Sequence, residues 1–133
     1  MSTAEDVLIG VRECVASVLE MPVASIGEED RLIDDLGAES LDLLDLVFQL
    51  EHRFHVSISP GDIERRAKAK LEGKPFEIDG VYTAEALSEL RRILPEVPPG
   101  ELAEGLTVAE LPRTFRVSTM ANLVSRLMEE KGE

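Results

Sequence analysis

The sequence predicts an all-α protein. Apolar residues recur at three- and four-residue spacing in several stretches, proline and glycine clusters punctuate those stretches, and no sustained alternation of the kind a half-buried strand shows is present. At 133 residues one domain is expected, with a modest hydrophobic core. Charge is distributed unevenly. Residues 1–58 carry 13 acids against 3 bases, residues 59–75 carry 3 acids against 5 bases, and the remainder carries 11 acids against 6 bases, so the middle segment looks inserted.

Ser2 or Thr3 can cap a first helix, with Glu5 or Asp6 placed for a capping box. Val7, Leu8, Val11, Cys14, Val15, Val18 and Leu19 then form one buried face. Pro22 follows, and residues 21–39 mix turn formers and charges with Val23, Ile26, Leu32, Ile33 and Leu36 as anchors. A connection this long hints at function. Gly37 permits a turn, and Ser40 can cap a second helix over about 41–54, whose turns are marked by Leu44, Val47, Phe48 and Glu51. Leu41, Leu43, Leu46 and Leu50 broaden that stripe, which implies packing on more than one side.

Pro60 opens a basic helix reaching about Leu71, and Gly73 and Pro75 end it. Thr83 caps a further helix with Leu87, Leu90 and Leu94 inward, stopped by Pro95. Short helical pieces fall around 101–112, and a last helix over about 119–130 presents Met120, Leu123, Val124, Leu127 and Met128 on one face.

A formal charge of −13 repels nucleic acid and anionic lipid and attracts basic partners, and 4% aromatic content offers no stacking platform for bases. No segment resembles an export signal or reaches the length of a membrane span. Cys14 lies in an apolar helical pattern and reads as a buried thiol, suited to a reducing cytosol. His52 and His55 lack a nearby third ligand, so no metal site is expected. No nucleophile, base and orienting acid form a catalytic set, and no glycine-rich phosphate loop occurs.

What stands out is the run DDLGAESLDLLDL at residues 34–46. Taken alone, Ser40 is most simply a helix cap, but it also sits where unpaired amides and the helix dipole favour a phosphoester. Leu36-Gly37-Ala38-Glu39-Ser40-Leu41-Asp42 resembles the acyl carrier protein family, whose motif is Asp-Ser-Leu after a Leu-Gly turn, followed by an acidic second helix. Glu39 stands where that family usually has Asp, keeping the charge with a longer reach. The resemblance covers roughly residues 1–59 and 113–131, through Glu29–Asp35, Leu50–Val56 and Phe115–Thr119.

The resemblance implies a four-helix-type acyl carrier bundle spanning 1–133, with additional helices inserted at about 59–112 between the second and last core helices. It implies that Ser40 takes 4′-phosphopantetheine from coenzyme A through a separate magnesium-dependent phosphopantetheinyl transferase, and that the arm's thiol holds an acyl group as a thioester. Catalysis then belongs to acyl-transferring or condensing enzymes of fatty-acid, lipid or polyketide-type synthesis, with basic docking surfaces. An aminoacyl cargo is a close variant.

Glu39, Leu41, Asp42 and Asp45, with Asp35 and Glu51, are the expected partner contacts. Leu44, Val47, Phe48, Leu87 and Leu90 are the expected acyl-chain pocket, and Ile63, Leu71, Ile93 and Leu94 extend that interior. The carrier is expected to be a cytoplasmic monomer without stable membrane insertion. The rival reading is an unmodified acidic helical interaction module in which Ser40 merely caps its helix.

Overall fold

In the computed structural model, which describes residues 3–59 and 61–132, helix α1 runs Ala4–Leu19. The Thr3 hydroxyl accepts from Asp6 N at 3.0 Å and the Asp6 carboxylate accepts from Thr3 N at 3.2 Å, so the capping box uses Asp6 rather than Glu5. Ser2 and Pro60, expected as a cap and a first-turn residue, lie outside the described residues. Val7, Val11, Cys14 and Val15 are buried, with Leu8, Val18 and Leu19 packed around them, as the periodicity predicts. Glu20 ends the helix in the left-handed region at φ 55°.

The chain divides into two compact units, residues 1–58 with 115–133 and residues 59–114. In the first, α1 packs most extensively on α5 (Val117–Gly132) and next on α2 (Ser40–Phe54). Gly10 sits beneath Phe54; a Cβ there would lie 2.6 Å from the ring's Cζ, so glycine permits the approach of α1 and α2. The α5 residues Val117, Met120, Ala121, Leu123 and Val124 complete the core with Leu46 and Leu50 of α2. Between α1 and α2 the chain is ordered by Arg12, whose Nε donates to Ile26 O at 2.8 Å and whose Nη2 donates to Val23 O at 3.0 Å. His55 ends α2 in the left-handed conformation, and its carbonyl accepts from Lys131 Nζ.

The second unit has helices α3 (Asp62–Lys68) and α4 (Ala84–Ile93), which pack on each other. Asp62 is buried, paired with Arg65, and accepts from Ser59 N at 2.7 Å. The helix expected to reach Leu71 stops at Lys68, where the amides of Lys70 and Leu71 donate to Ala67 O and Lys68 O in tighter turns, and Glu72 and Gly73 then turn left-handed at φ 53° and 88°. Thr83 caps α4 by accepting from Ala86 N at 3.1 Å. Ile63, Ala67, Leu71, Phe76, Tyr82, Leu87, Leu90, Ile93 and Leu94 are all buried, and the core cluster of the first unit contains none of them. The expectation that this set extends the interior of the carrier bundle is therefore corrected: two units carry two cores.

A small hairpin in this unit went unforeseen. Strands β1 (Glu77–Ile78) and β2 (Val81–Tyr82) pair antiparallel around Asp79 and Gly80, both with positive φ, as a two-residue hairpin turn demands. The Asp-Gly dipeptide was the available signal; two-residue strands are too short to show alternation. Tyr82 donates its hydroxyl to Glu64 Oε2 at 2.8 Å and meets Phe76 edge-on with ring centroids 5.2 Å apart. Burial, then that carboxylate, pushes the Tyr82 hydroxyl far up, so it remains a donor.

Candidate functional site

Ser40 is the first residue of α2, and Glu39, extended at φ −106° and ψ 173°, is the cap. This corrects the reading of Ser40 as an N-cap. Its side chain is exposed and makes no hydrogen bond among the described residues. The hydroxyl thus stands at the positive end of a fifteen-residue helix with no structural duty, where first-turn amides favour a phosphodiester. The local residues fit a covalent phosphopantetheine.

The approach to Ser40 is tightly bonded. Leu32 N donates to Phe115 O at 3.0 Å, and Val117 N donates to Asp30 O at 3.1 Å, so the loop is stitched to the segment that enters α5. Ala38 N then donates back to Leu32 O at 2.9 Å and Gly37 N to Ile33 O at 3.0 Å. Gly37 adopts φ +77° with open space where a Cβ would stand, so any substitution cost comes from the backbone. Gly37→Ala is expected to lower stability by about 1–2 kcal/mol, read by equilibrium denaturation of the carrier unit.

The expected docking carboxylates have unequal freedom. Asp35 is gripped by Arg31, whose Nη2 and Nε donate to it at 3.1 and 3.2 Å. Those bonds hold the carboxyl below its usual range, so their contribution is present above the ordinary carboxylate pKa and fades as pH falls through the lowered folded value. Asp42 accepts from Glu39 N at 2.9 Å, and Glu51 accepts from Ile58 N at 2.8 Å, fastening the chain after α2. Glu39 and Asp45 are exposed, and Asp45 has no bonded partner among the described residues.

Leu41, Leu44 and Phe48 are 78%, 51% and 58% exposed. Their spacing places them on one outward stripe of α2, so Leu44 and Phe48 are corrected from pocket lining to surface, with Val47 half-buried beside them. Leu87 and Leu90 are also corrected: they are sealed in the core of the second unit.

The sequence reasoning missed a shallow crevice, open to solvent and lined by Val15, Val18, Leu19, Leu32, Ala38, Asp42, Leu43 and Leu46. Ala38 and Asp42 lie two positions either side of Ser40, and the α1 residues of that lining were assigned wholly to core. Cys14 is buried, which pushes its thiol up and leaves it unreactive. His52 and His55 are exposed, and among the described residues no three His, Cys, Asp or Glu side chains gather as a metal site requires. Among those residues, too, no helix is long and apolar enough to cross a membrane.

Comparison with known proteins agrees with this geometry. A family model described as a phosphopantetheine attachment site matches residues 10–67. An acyl carrier protein of Thermotoga maritima is 38% identical over 65 residues, covering 49% of this chain and 80% of that protein. One of Exiguobacterium sp. is 40% identical over 65 residues, covering 49% and 82%. One of Campylobacter jejuni subsp. doylei is 37% identical over 68 residues, covering 51% and 83%. Proteins of this kind are carriers that hold phosphopantetheine covalently and leave the chemistry to other enzymes, and that is the cofactor and the role of this chain. With four-fifths of each of these relatives matched at more than a third identity, the chain belongs to the acyl carrier protein family.

Proposed function

We propose that Ser40 is the attachment point of the phosphopantetheine arm, and that the loaded carrier presents thioester-bound acyl intermediates to enzymes of fatty-acid, lipid or polyketide-type synthesis in the cytoplasm as a monomer. One observation carries the reading: an exposed hydroxyl at the first position of α2 takes no part in capping or packing. Incubation of the full chain with coenzyme A, Mg²⁺ and a broad-specificity phosphopantetheinyl transferase tests it. A mass gain of one phosphopantetheine on a Ser40 peptide supports the assignment, and a gain located on any other residue overturns it.

The outer stripe of α2 supplies the docking face. Leu41, Leu44 and Phe48 offer apolar contact, while Glu39 and Asp45 steer basic partners toward it and keep release fast. Asp35 and Glu51 serve mainly structure, since each is already bonded within the fold. Asp45→Lys is expected to raise a partner's KM about fivefold, corresponding to roughly 1 kcal/mol for an exposed charge contact. The effect shrinks in high salt, and unchanged kinetics at low ionic strength removes Asp45 from the docking face.

The crevice beside Ser40 is the place we assign to the first methylenes of a retracted cargo, each contributing roughly 0.8 kcal/mol when buried. This replaces the pocket expected at Leu44, Val47, Phe48, Leu87 and Leu90.

A further inference from the structure

Arg31 is the lone basic residue between positions 28 and 45, a span holding eight acids. Its guanidinium pairs with two of them. Nη2 and Nε take both oxygens of Asp35 at 3.1 and 3.2 Å, and Nη1 reaches Asp34 Oδ2 at 3.4 Å. The backbone of the same residue repeats the grip. Arg31 N donates to Asp35 Oδ2 at 2.8 Å, while Arg31 O accepts from Asp35 N at 3.2 Å and Leu36 N at 3.1 Å. One residue thus closes the turn 31–36 from both sides, and the following two amides, of Gly37 and Ala38, are bonded to Ile33 and Leu32 within it. Arg31 is also bridged to Arg116, at the entry to α5.

A surface ion pair on its own contributes little. This one is a two-pronged fork on a carboxylate that the backbone also holds, a geometry a lysine cannot reproduce. The residue two places beyond the Gly37–Ala38 pair is Ser40. We propose that Arg31 is a positioning residue for loading the carrier: by clasping Asp35 it fixes the turn that aims the Ser40 hydroxyl, and it does so by withdrawing one carboxylate from the docking field.

The inference rests on Ser40 being the attachment site. In the step concerned, a bond forms between Ser40 Oγ and phosphorus and the phosphorus–oxygen bond of the coenzyme A pyrophosphate breaks. Adenosine bisphosphate leaves, the hydroxyl proton passes to a base of the transferase, and nothing is oxidised or reduced. Such a transfer depends on alignment, and a misplacement of about 1 Å can cost a hundredfold in rate.

The two roles of the clasp separate kinetically. The probe is the full chain with coenzyme A, Mg²⁺ and a broad-specificity transferase, with carrier concentration varied. Arg31→Gln is expected to lower kcat about tenfold, within the alignment losses known for such steps, while KM stays level or falls because Asp35 is freed to attract a basic enzyme. Asp35→Asn is expected to lower kcat similarly but to raise KM, since it removes one negative charge from the docking field and leaves Arg31 paired with Asp34 but no longer with a charged Asp35. Arg31→Lys recovers only part of the rate.

A loss of folded fraction lowers the effective carrier concentration and raises apparent KM in both variants without changing kcat, so a shared kcat loss with opposite KM shifts singles out positioning. Wild-type kcat in Arg31→Gln overturns the inference. So do changes confined to KM, or a lysine variant as fast as arginine. Failure of the underlying assignment is distinguishable, because it appears as a wild-type chain that gains no arm at Ser40.

Discussion

Ser40→Ala is expected to abolish attachment of the arm while leaving the fold intact. The attachment loss is complete rather than graded, because the hydroxyl oxygen is itself the atom that becomes bonded to phosphorus. The structural cost is small, within about 0.5 kcal/mol, since the side chain is exposed and unbonded and alanine suits a helix well. Ser17, Ser57, Ser59 and Ser88 are exposed too, so exposure alone does not choose the site. Ser40 differs in opening a long helix behind a left-handed glycine turn. Intact mass of the alanine variant, together with its denaturation midpoint, decides the matter. A mass gain that survives the substitution refutes the assignment, and a collapsed midpoint shows that the hydroxyl had a structural duty after all.

The legible parts of the sequence were those where one local rule met no competitor. The α1 face from Val7 to Leu19, the Thr83 cap and the Gly37 turn each follow from a residue type at a spacing. The second helix was harder. Leu41, Leu43, Leu44, Leu46, Val47, Phe48 and Leu50 surround it with apolar residues, so periodicity identifies a helix without fixing its rotation. The structure buries Leu46 and Leu50 and leaves Leu41, Leu44 and Phe48 outside. An apolar stripe left in solvent and an apolar core stripe are chemically identical in sequence.

The acids pose the same problem in another form. Asp35, Asp42, Asp45 and Glu51 read as equivalent charges, yet only a folded backbone reveals that Asp42 closes a capping box and Glu51 secures Ile58 N. Glycine-turn chemistry was equally decisive and partly overlooked. Asp79-Gly80 specified a hairpin.

The separation of the two cores yields the other large expected effect. Leu50, in the carrier unit, and Leu90, in the inserted unit, are both 0% exposed. Truncating either to alanine removes buried methylenes and leaves a cavity, a loss of about 2–5 kcal/mol, which is much of a small domain's stability. The two substitutions should nevertheless fail differently. Tyr82 is the chain's lone tyrosine, tryptophan is absent, and Tyr82 belongs to the inserted unit, so tyrosine fluorescence reports that unit directly. Leu90→Ala is expected to shift the tyrosine transition to lower denaturant while Ser40 is still loaded at close to the wild-type rate. Leu50→Ala is expected to do the reverse, slowing loading in proportion to the unfolded carrier while the tyrosine transition holds. The carrier core draws its helices from both sides of the insertion, α1 and α2 before it and α5 after it, and the residues of that core cluster all belong to the first unit, so the two cores are expected to melt separately. Equal loss of loading in the two variants shows instead that the insertion is required to hold the serine-bearing turn.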